Sequence, residues 1–373
     1  MKIGIDCRLP YYRMGGISQY VVNLLPALAA IDDQNNYQVF HSWKDKRSYI
    51  PESAPNFTRK NLYTPSHHSL ERWSLAAELS PYFLHIFHSP DFIPPAKSSR
   101  KRIITVHDLN FVHYPEFITN ESRRYYADQI EWAVESADFI IADSDHTKQD
   151  LINLLNVDEE KVRTVYLAAN PIYQQKRSSE EIEKVLESYE LEPGFILFVG
   201  TISPRKNIKT LLKIYEMLVS NHQIGSPMVL VGSRGWLSSE LFREMDLLST
   251  RLDIRHLEGI TDLELSCLYS RAGVLALPSY YEGFGLPMLE AMHRGCPVVS
   301  SSRGSLPEVV GEAGPLLEPD DVDAWAEAIV LLLQDHEYSE NARTKGKKQA
   351  SKFSWDRTAS QTLTLYKETA KIS

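Results

Sequence analysis

Glu282 and Glu290 lie in a segment whose residue types suit the binding of a phosphorylated sugar. The segment reads YEGFGLPMLEAM and follows the apolar run VLAL, which predicts a buried strand. Gly283 and Gly285 carry no side chains, so backbone N–H groups can approach a ligand closely, and Pro287 suits the first position of a helix. Helix N-termini bind phosphate, and carboxylates accept hydrogen bonds from sugar hydroxyls. The alternative is purely structural, with the glutamates as cap partners and the glycines as turn residues.

Two adjacent cations, Arg205 and Lys206, occupy a second segment of this kind. It reads GTISPRKN and directly follows the predicted strand FILFV. Two cations at the beginning of a helix are disfavoured by the helix dipole. A diphosphate would remove that difficulty, because Arg offers a planar fork and Lys a point charge, and together they neutralise a departing phosphate. A solvated pair of surface charges is the alternative.

Paired glycines, Gly15 and Gly16, connect the first predicted strand to the first predicted helix in the string MGGIS, which begins at Met14. Backbone amides at such a turn can meet a phosphate at the helix N-terminus. A Gly-Gly turn is also common where no ligand binds. We interpret this turn as a third part of the site because it accompanies the two segments above.

Polar side chains also follow two other strands predicted in the first half of the chain. His107 and Asp108 end the string TVHD, and Ser144 and Asp145 end the string ADSD. Ligands of open parallel sheets bind at the carboxyl ends of the strands, so His107, Asp108 and Ser144 are candidates for contact with the acceptor or the sugar. The alternatives are a structural histidine and, for Asp145, a helix N-cap.

The order of these segments resembles that of the large retaining glycosyltransferase family 4. Glu282 and Glu290 form its E-x(7)-E motif, the strings HRGCPVV and GSLPEV follow as they do in the family, and the likeness covers most of the chain. The resemblance implies that Glu290 binds the ribose of a nucleotide-sugar donor and that Glu282 holds the transferred sugar. It also implies that the N–H groups of Phe284, Gly285 and Leu286 line the pocket for the sugar and the diphosphate.

The cationic segment fits the same family with one departure. Lys206 matches a lysine of the family, whereas Thr201 stands where relatives commonly carry an arginine. By its position in this segment, Thr201 is still expected to contact the donor. Arg205 would supply the missing charge, as in the GTxxPRKN form of the mannosyltransferase-like branch of bacterial surface-polysaccharide enzymes.

Three further roles follow from the resemblance alone. Gly16, beside Gly15, would contact the donor diphosphate. His107 belongs to a string similar to the family's HDL segment, whose histidine faces the transferred sugar, and the resemblance makes it a candidate catalytic residue. Backbone groups near Ile260, in the loop LEGITD before a helix that Thr261 is expected to cap, would hold the nucleobase.

Short apolar runs alternate with helical patterns along the chain, which predicts parallel sheets with crossover helices. A polar, charge-rich stretch at 174–192 separates two such series. We therefore predict an α/β protein of the GT-B type, with two Rossmann-like, doubly wound parallel-sheet domains facing a cleft. Residues 1–172 would form the acceptor-binding domain, 173–354 the donor-binding domain, and a final helix at 355–371 would pack back on the first. The predicted strands are 2–7, 37–41, 86–89, 103–107, 139–143, 163–166, 195–199, 228–231, 254–257, 274–277 and 297–300, and further helices are predicted at 17–31 and 121–136.

Composition narrows the class of protein. The chain has 373 residues, of which 43% are hydrophobic, and 40 basic against 49 acidic residues give a net charge of −9, which argues against a nucleic-acid partner. Three widely spaced cysteines form neither a disulfide framework nor a zinc cluster. No apolar stretch reaches the roughly 18 residues that span a bilayer, and the first strand is too short for a signal peptide. A cytoplasmic protein is expected.

Basic residues cluster near the apolar and aromatic stretch 73–92. They are Arg59 with Lys60, and the run Arg100, Lys101 and Arg102. Such a mixture is compatible with peripheral contact with the inner face of the plasma membrane, but on sequence alone a solvated charged surface is the favoured interpretation.

The predicted activity is that of a retaining, metal-independent glycosyltransferase with a nucleotide-sugar donor as co-substrate and no cofactor. The sequence has no metal-site motif, so Arg205, Lys206 and helix amides must neutralise the departing diphosphate. By resemblance, the donor is GDP-mannose and the acceptor is a glycan or a lipid-linked oligosaccharide in the synthesis of O-antigen or another polysaccharide. A UDP-sugar donor remains open.

Two rival functions use the same residues. A retaining glycosidase would need Glu282 and Glu290 about 5 Å apart across the bond, and it would not need the cation pair. A non-catalytic binder of sugar nucleotides would keep Glu290 and the glycines but could dispense with His107 and Lys206. A dinucleotide oxidoreductase is disfavoured because the glycine segment lacks the third glycine and the acidic partner of that class.

Overall fold

The computed structural model describes residues 1–12, 15–68, 70–118, 123, 125–222, 224–235 and 238–371. The chain divides into two compact units. The first unit comprises Met1–Pro115, Thr119–Ala168 and Phe353–Ser373, and the second comprises Glu116–Ile118 and Ala169–Lys352. The last segment of the chain therefore belongs to the first unit.

A seven-stranded sheet forms the centre of the first unit, and every neighbouring pair of its strands is parallel. Its spatial order is β3-β2-β1-β4-β5-β6-β7. The chain thus builds outward from β1 to β3 and then returns to the other side of β1, which makes the gap between β1 and β4 the topological switch point. The strands are β1 Lys2–Cys7, β2 Asn36–Ser42, β3 Phe57–Leu62, β4 Leu84–Ser89, β5 Ser99–Val106, β6 Phe139–Ala142 and β7 Val162–Thr164.

The second unit contains a six-stranded sheet with the order β10-β9-β8-β11-β12-β13, again parallel throughout. Its switch point lies between β8 and β11. Four of its strands are buried along their whole length, and three of these are apolar throughout, as expected when helices cover both faces of a parallel sheet. The strands are β8 Ile196–Val199, β9 Met228–Val231, β10 Ile254–Leu257, β11 Val274–Leu277, β12 Val298–Ser301 and β13 Leu316–Leu317.

Helices connect the strands in both units. Those of the first unit are α1 Leu9–Tyr12, α2 Gly16–Ile31, α3 Glu71–Leu79, α4 Asn110–His113, α5 Ile130–Ser136 and α6 Asp145–Leu155. The second unit contributes α7 Ser179–Ser188, α8 Ile208–His222, α9 Ser239–Leu248, α10 Asp262–Arg271, α11 Leu286–His293, α12 Leu306–Val310, α13 Val322–Gln334 and α14 His336–Ala350. The last helix, α15 Trp355–Lys371, belongs to the first unit. Among the described residues no helix combines the length and the apolar content needed to cross a bilayer.

Helix α15 packs on α2 and on β4 of the first sheet. The hydroxyl of Tyr366 lies 2.7 Å from Nδ1 of His88, and the other ring nitrogen of His88 lies 2.8 Å from the hydroxyl of Thr105. Burial lowers the pKa of His88 to about 3, so the ring is neutral. The end of the chain is thereby tied to the interior of the first sheet by a buried polar chain.

The predicted α/β class with two Rossmann-like parallel-sheet domains is confirmed. Two strands were not predicted. Strand β3 has the polar sequence FTRKNL and lies at the edge of its sheet, so it shows no apolar run. Strand β13 has only two residues and is too short to produce a pattern.

Several predicted boundaries were wrong by one to four residues. Strand β5 begins at Ser99, so Arg100, Lys101 and Arg102 are strand residues, and it ends at Val106, which leaves His107 in the following loop. Part of the predicted helix at 121–136 lies outside the described residues. Residues 127–129 form a turn, and α5 begins only at Ile130.

The assignment of Asp145 as a helix N-cap was also wrong. Ser144 is the N-cap of α6, and its side chain accepts a hydrogen bond from the N–H of Thr147. Asp145 is the first helical residue, and its carboxylate accepts bonds from the hydroxyls of Thr164 and Tyr166. Both residue types favour helix starts, so sequence alone does not separate them.

Candidate functional site

The loops that follow β8 and β11 lie side by side because these strands flank the switch point of the second sheet. The first loop contains Arg205 and Lys206, and the second contains Glu282. The N–H of Tyr280 donates to the carbonyl of Arg205 at 2.9 Å, which joins the two loops through their backbones. Two segments that are more than seventy residues apart in sequence thus form one site.

Glu282 is the centre of an ion cluster. One of its carboxylate oxygens contacts Nζ of Lys206 and accepts a bond from the hydroxyl of Ser279 at 2.7 Å, and the other lies 3.1 Å from the guanidinium of Arg205. Arg205 also donates to the carbonyl of Tyr281. Glu282 and Lys206 are each only 7% exposed. The sequence-predicted residues Arg205, Lys206 and Glu282 are therefore brought into direct contact.

The charges in this cluster are fixed. Burial favours the protonated form of Glu282, but Lys206 and then Arg205 oppose it and lower the pKa of the carboxyl to about 2. Two cations and one ionised carboxylate leave one net positive charge in a partly buried position. This arrangement explains how two adjacent cations are tolerated at a helix start: Glu282 compensates them, without the diphosphate that the sequence argument invoked.

The glycine turn before α11 depends on the absence of side chains. Gly285 has a φ of 99°, and a Cβ atom there would lie 2.7 Å from Cδ2 of Leu306. Leu286 is the first residue of α11, and Gly283 and Phe284 are buried in the turn. The first N–H groups of any helix have no acceptor inside the helix. This turn therefore presents the beginning of α11 beside the ion cluster.

The string GSLPEV packs against the backbone of the Glu282 loop. The carbonyl of Glu282 accepts a bond from the N–H of Ser305 at 3.1 Å and another from its hydroxyl at 2.9 Å. Gly304 has a φ of 62°, and a Cβ atom there would lie 2.7 Å from the same carbonyl oxygen. In the sequence, only the family resemblance draws attention to this string. Its contacts make it a support that holds Glu282 against the cations.

Glu290 lies on α11 in a different environment. Its side chain is half-buried and accepts a bond from the hydroxyl of Tyr269 at 3.0 Å. Burial raises the pKa of Glu290 to about 8, because within the described part of the chain no cation lies close enough to oppose it. Glu282 and Glu290 thus differ in charge near neutral pH, one ionised and the other protonated.

A third loop lies beside the cationic loop and was not predicted from sequence. It reads GSRG and follows β9. A Cβ atom on Gly232 would lie 2.0 Å from the carbonyl oxygen of Gly200, and Ile202 pairs with Arg234 in an isolated parallel bridge. Thr201 lies in this packed region. The sequence signal that could have revealed this loop is the pair Gly232 and Gly235, which follows the apolar strand β9.

Ile260 lies between β10 and α10, after Gly259, whose φ is 71°. The predicted cap is confirmed, since Thr261 and Glu264 form a capping box at the start of α10. Ile260 is half-buried in the turn that leads into this cap.

The remaining predicted residues belong to the first unit. Gly15 is the N-cap of α2 with extended backbone, and Gly16 is the first helical residue, where an added Cβ atom would have nothing within 4 Å. Met14 lies outside the described residues. Asp108 accepts a hydrogen bond from the N–H of Asn110 at 3.0 Å. Ser144 is buried, and its side chain serves as the N-cap of α6. None of these contacts assigns a ligand.

His107 is held by two acceptors within the first unit. Its Nδ1 lies 2.5 Å from Asp143 and its Nε2 lies 2.7 Å from the carbonyl oxygen of Pro90. Burial favours the neutral ring, but the adjacent carboxylate and the carbonyl outweigh it and raise the pKa of His107 to about 9. His107 is therefore an imidazolium near neutral pH and donates from both nitrogens.

This ion pair predicts a pH-dependent stability. The unfolded chain loses the histidine proton near pH 6.5 and the folded chain near pH 9, so the pair stabilises the fold fully below pH 6.5 and loses its contribution as the pH rises to 9. Replacing Asp143 by Asn should lower the free energy of unfolding by about 1–3 kcal/mol at pH 6 and by less at pH 9.

Chemical denaturation at both pH values measures this difference, and NMR titration of the His107 ring should show its pKa falling below 6.5 in Asp143→Asn. The exposed Asp158, changed to Asn, is the matched control and should alter neither quantity at His107. An unchanged histidine pKa in Asp143→Asn would contradict the assignment of the pair.

Comparison with known proteins identifies two family models that together span most of the chain. Residues 14–171 match the model Glycosyltransferase Family 4, and residues 173–349 match the model Glycosyl transferases group 1. The O-antigen chain mannosyltransferase B of Escherichia coli is 34% identical over 386 aligned positions, which cover 98% of this chain and 100% of the relative.

Solved structures share the architecture at lower sequence identity. Sucrose-phosphate synthase of Thermosynechococcus elongatus superposes with a TM-score of 0.76 at 23% identity, covering 98% of each chain. HepE of Anabaena, solved in complex with UDP and glucose, superposes with a TM-score of 0.75 at 18% identity, covering 98% of this chain and 99% of its own. At these identities the likeness concerns the fold.

Proposed function

Since this chain belongs to the family 4, group 1 glycosyltransferases, we propose that it transfers mannose from GDP-mannose to a glycan or a lipid-linked oligosaccharide. We further propose that the reaction retains the anomeric configuration, requires no metal ion and serves the synthesis of O-antigen or a similar surface polysaccharide. The mannosyl donor is favoured by the full-length likeness to a mannosyltransferase of O-antigen chains. A UDP-sugar remains the second candidate, because HepE, a protein of the same fold, was solved with UDP and glucose.

The observation that carries this proposal is the ion cluster at the switch point of the second sheet. Arg205 and Lys206 are held in place by Glu282 before any donor arrives. Preorganised charges stabilise a developing anion without reorganising during the reaction. The net positive charge beside the beginning of α11 suits a diphosphate, whereas a glycosidase has no use for it.

In the proposed reaction, the bond between the anomeric carbon and the phosphate oxygen breaks while the acceptor hydroxyl attacks from the same face. The proton of that hydroxyl passes to the departing phosphate oxygen, so the nucleoside diphosphate leaves with the charge balanced. Lys206, Arg205 and the first N–H groups of α11 stabilise the leaving group. Glu282 positions the sugar by accepting hydrogen bonds from its hydroxyls.

Glu290 is proposed to bind the ribose of the donor. Its carboxyl is protonated near neutral pH in the absence of ligand, so it can donate one hydrogen bond and accept others. Ribose hydroxyls provide partners for both functions. Ile260 and the neighbouring backbone are proposed to contact the nucleobase, and Gly15 and Gly16 to contact the diphosphate.

The first unit is proposed to approach a membrane surface peripherally. Trp43, Tyr63 and Trp73 are large aromatic side chains that are 49%, 70% and 63% exposed, and such rings are typical of membrane interfaces. Of the basic residues, Lys101 is paired with Asp138 at 3.2 Å, and Arg59 donates to backbone carbonyls, so the aromatic rings carry this proposal more than the charges do.

Thermal unfolding with GDP, UDP and ADP tests the donor. A ligand at a hundred times its Kd stabilises the fold by about 2.7 kcal/mol, so GDP should raise the melting temperature measurably and more than UDP or ADP do. Incubation with GDP-mannose and a mannoside acceptor should then yield an α-linked product by NMR, both with and without EDTA. A larger shift with UDP would transfer the proposal to a UDP-sugar, and loss of turnover in EDTA would refute metal independence.

A further inference from the structure

Tyr269 contacts Glu290, the residue proposed to bind the ribose, but no sequence motif gave Tyr269 a role. Tyr269 belongs to α10, and its side chain is 0% exposed. Its hydroxyl donates a hydrogen bond to Oε2 of Glu290 at 3.0 Å. Because Tyr269 is fully buried, it lies out of reach of a nucleotide, and its hydroxyl can act on a bound donor only through Glu290.

The two carboxyl oxygens of Glu290 have different surroundings. Oε2 accepts the bond from Tyr269, whereas Oε1 accepts a bond from no residue that the structure describes and retains contact with solvent. Burial raises the pKa of the Tyr269 hydroxyl well above its usual range, so the hydroxyl keeps its proton and remains a donor. With Oε2 held in this way, Oε1 has a defined position from which it can meet a ligand.

The distance between Tyr269 and Glu290 is set by the packing of α10 on α11. Arg294, the C-cap of α11, lies one helical turn after Glu290 on the same side of the helix. Its guanidinium donates to the hydroxyl oxygen of Ser270 at 2.6 Å and to the carbonyl of Ser266 at 3.2 Å, both on α10. Two sets of bonds, one turn apart, therefore fix the two helices to each other around the carboxyl.

The ring of Tyr269 is held by a second buried tyrosine. Tyr173 packs edge-on against it, with ring centroids 5.8 Å apart and an interplanar angle of 71°. The hydroxyl of Tyr173 donates to Asp262 at 3.2 Å and does not contact Glu290. The two tyrosines thus share their packing and differ in the carboxylate that each hydroxyl contacts.

A glutamate side chain is flexible, and immobilising it during binding lowers the affinity for the ligand. We infer that Tyr269 is a positioning residue for donor recognition, which holds the carboxyl of Glu290 in the orientation that meets the ribose hydroxyls. The inference rests on the proposed function and deepens it, because Tyr269 acts through the ribose contact assigned to Glu290. The Tyr269 hydroxyl should therefore strengthen binding only when the nucleotide carries ribose hydroxyls.

Titration calorimetry of the full chain with GDP and with 2′,3′-dideoxy-GDP tests the inference. The wild type should bind GDP more tightly than the dideoxy nucleotide. Tyr269→Phe keeps the ring and should weaken GDP binding by about threefold to tenfold, the range for one hydrogen bond, while binding of the dideoxy nucleotide stays the same. In steady-state kinetics with GDP-mannose, the KM of this variant should rise more than its kcat falls.

A double-mutant cycle shows whether Tyr269 acts through Glu290. Glu290→Ala should bind the two nucleotides about equally, because it has no carboxyl for the ribose. Adding Tyr269→Phe to Glu290→Ala should then change the affinity for neither nucleotide. A further loss of GDP affinity in the double variant, as large as in Tyr269→Phe alone, would overturn the inference.

Two matched controls remove the hydroxyl of another buried tyrosine in the same unit. Tyr173→Phe affects the ring neighbour of Tyr269, and Tyr215→Phe affects a hydroxyl that donates to the carbonyls of Ser226 and Asp253. Neither control should change the ratio of the two nucleotide affinities. Thermal unfolding of every variant gives its stability separately from this ratio.

The outcomes separate a positioning role from a structural one. Equal weakening of both nucleotides in Tyr269→Phe would show a structural role and overturn the inference, as would unchanged GDP binding or equal binding of both nucleotides by the wild type. If the wild type binds UDP and not GDP, the same results are expected with UDP and 2′,3′-dideoxy-UDP. If it binds neither GDP nor UDP, the proposed function fails, and the role of Tyr269 fails with it.

Discussion

Replacing Lys206 by Ala should lower kcat by about a hundredfold to a thousandfold, the range seen when one preorganised donor to a developing oxyanion is removed. Lys206 lies in the ion cluster with Glu282, where it is nearly excluded from solvent. Its charge would act mainly on the departing diphosphate, so kcat should fall more than the KM for the donor rises. Steady-state kinetics with GDP-mannose and a mannoside acceptor measure both parameters.

Lys209→Ala is the matched control for this variant. Lys209 is exposed at the start of α8 and pairs only loosely with Glu240, at 3.3 Å, so its loss should leave kcat unchanged. Glu282 keeps Arg205 and Ser279 in the Lys206 variant, and an unaltered circular dichroism spectrum would show that the fold is kept. Full turnover in Lys206→Ala would refute the role of the cluster in the leaving-group step.

Replacing Arg8 by Met should lower the free energy of unfolding of the first unit by about 3–5 kcal/mol. The change leaves the carboxylates of Asp6 and Glu71 near one another without the guanidinium that both contact. Met has a similar volume, so the loss reflects uncompensated charge and not a cavity. Thermal and denaturant unfolding followed by circular dichroism would measure the effect.

The pH dependence distinguishes this cause from a packing defect. Burial already raises the pKa of Glu71, and Arg8 opposes that rise, so without Arg8 the pKa of Glu71 should rise further in the folded state. The folded variant then binds more protons than its unfolded chain does. Its stability deficit relative to the wild type should therefore shrink as the pH is lowered from 7 to 5. Arg163→Met, which removes an exposed arginine 3.8 Å from Glu368 in the same unit, should cost at most about 1 kcal/mol. Equal losses in the two variants would contradict the prediction.

The residues of the ion cluster in the second unit could be predicted as site residues because they are close in sequence to recognisable turns. Glu282 and the glycines around it form one string, and Arg205 with Lys206 forms another, each directly after an apolar strand. The sequence did not predict that the two strings bind each other through an ion cluster. Such a pairing depends on strand order, since β8 and β11 are neighbours in the sheet but not in the chain.

The polar residues at the switch point of the first sheet illustrate the opposite case. Asp6, His67, Glu71, Asp91 and Tyr125 are scattered over more than a hundred residues and belong to no motif. Their shared signal is weak, because only Asp6 and Asp91 lie at strand ends. The buried Arg8, which contacts Asp6 and Glu71, shows no sequence feature beyond its place after a strand.

The way in which the first unit is closed has a consequence for biosynthesis. Its sheet is complete once β7 has been made. Helix α15, which packs on α2 and whose Tyr366 hydrogen-bonds His88, is translated only after the whole second unit. While the ribosome synthesises residues 169–352, the nascent first unit carries an uncovered apolar surface on α2 and β4. The second unit can mature before the first, so the segment synthesised earlier is the one whose folding finishes last.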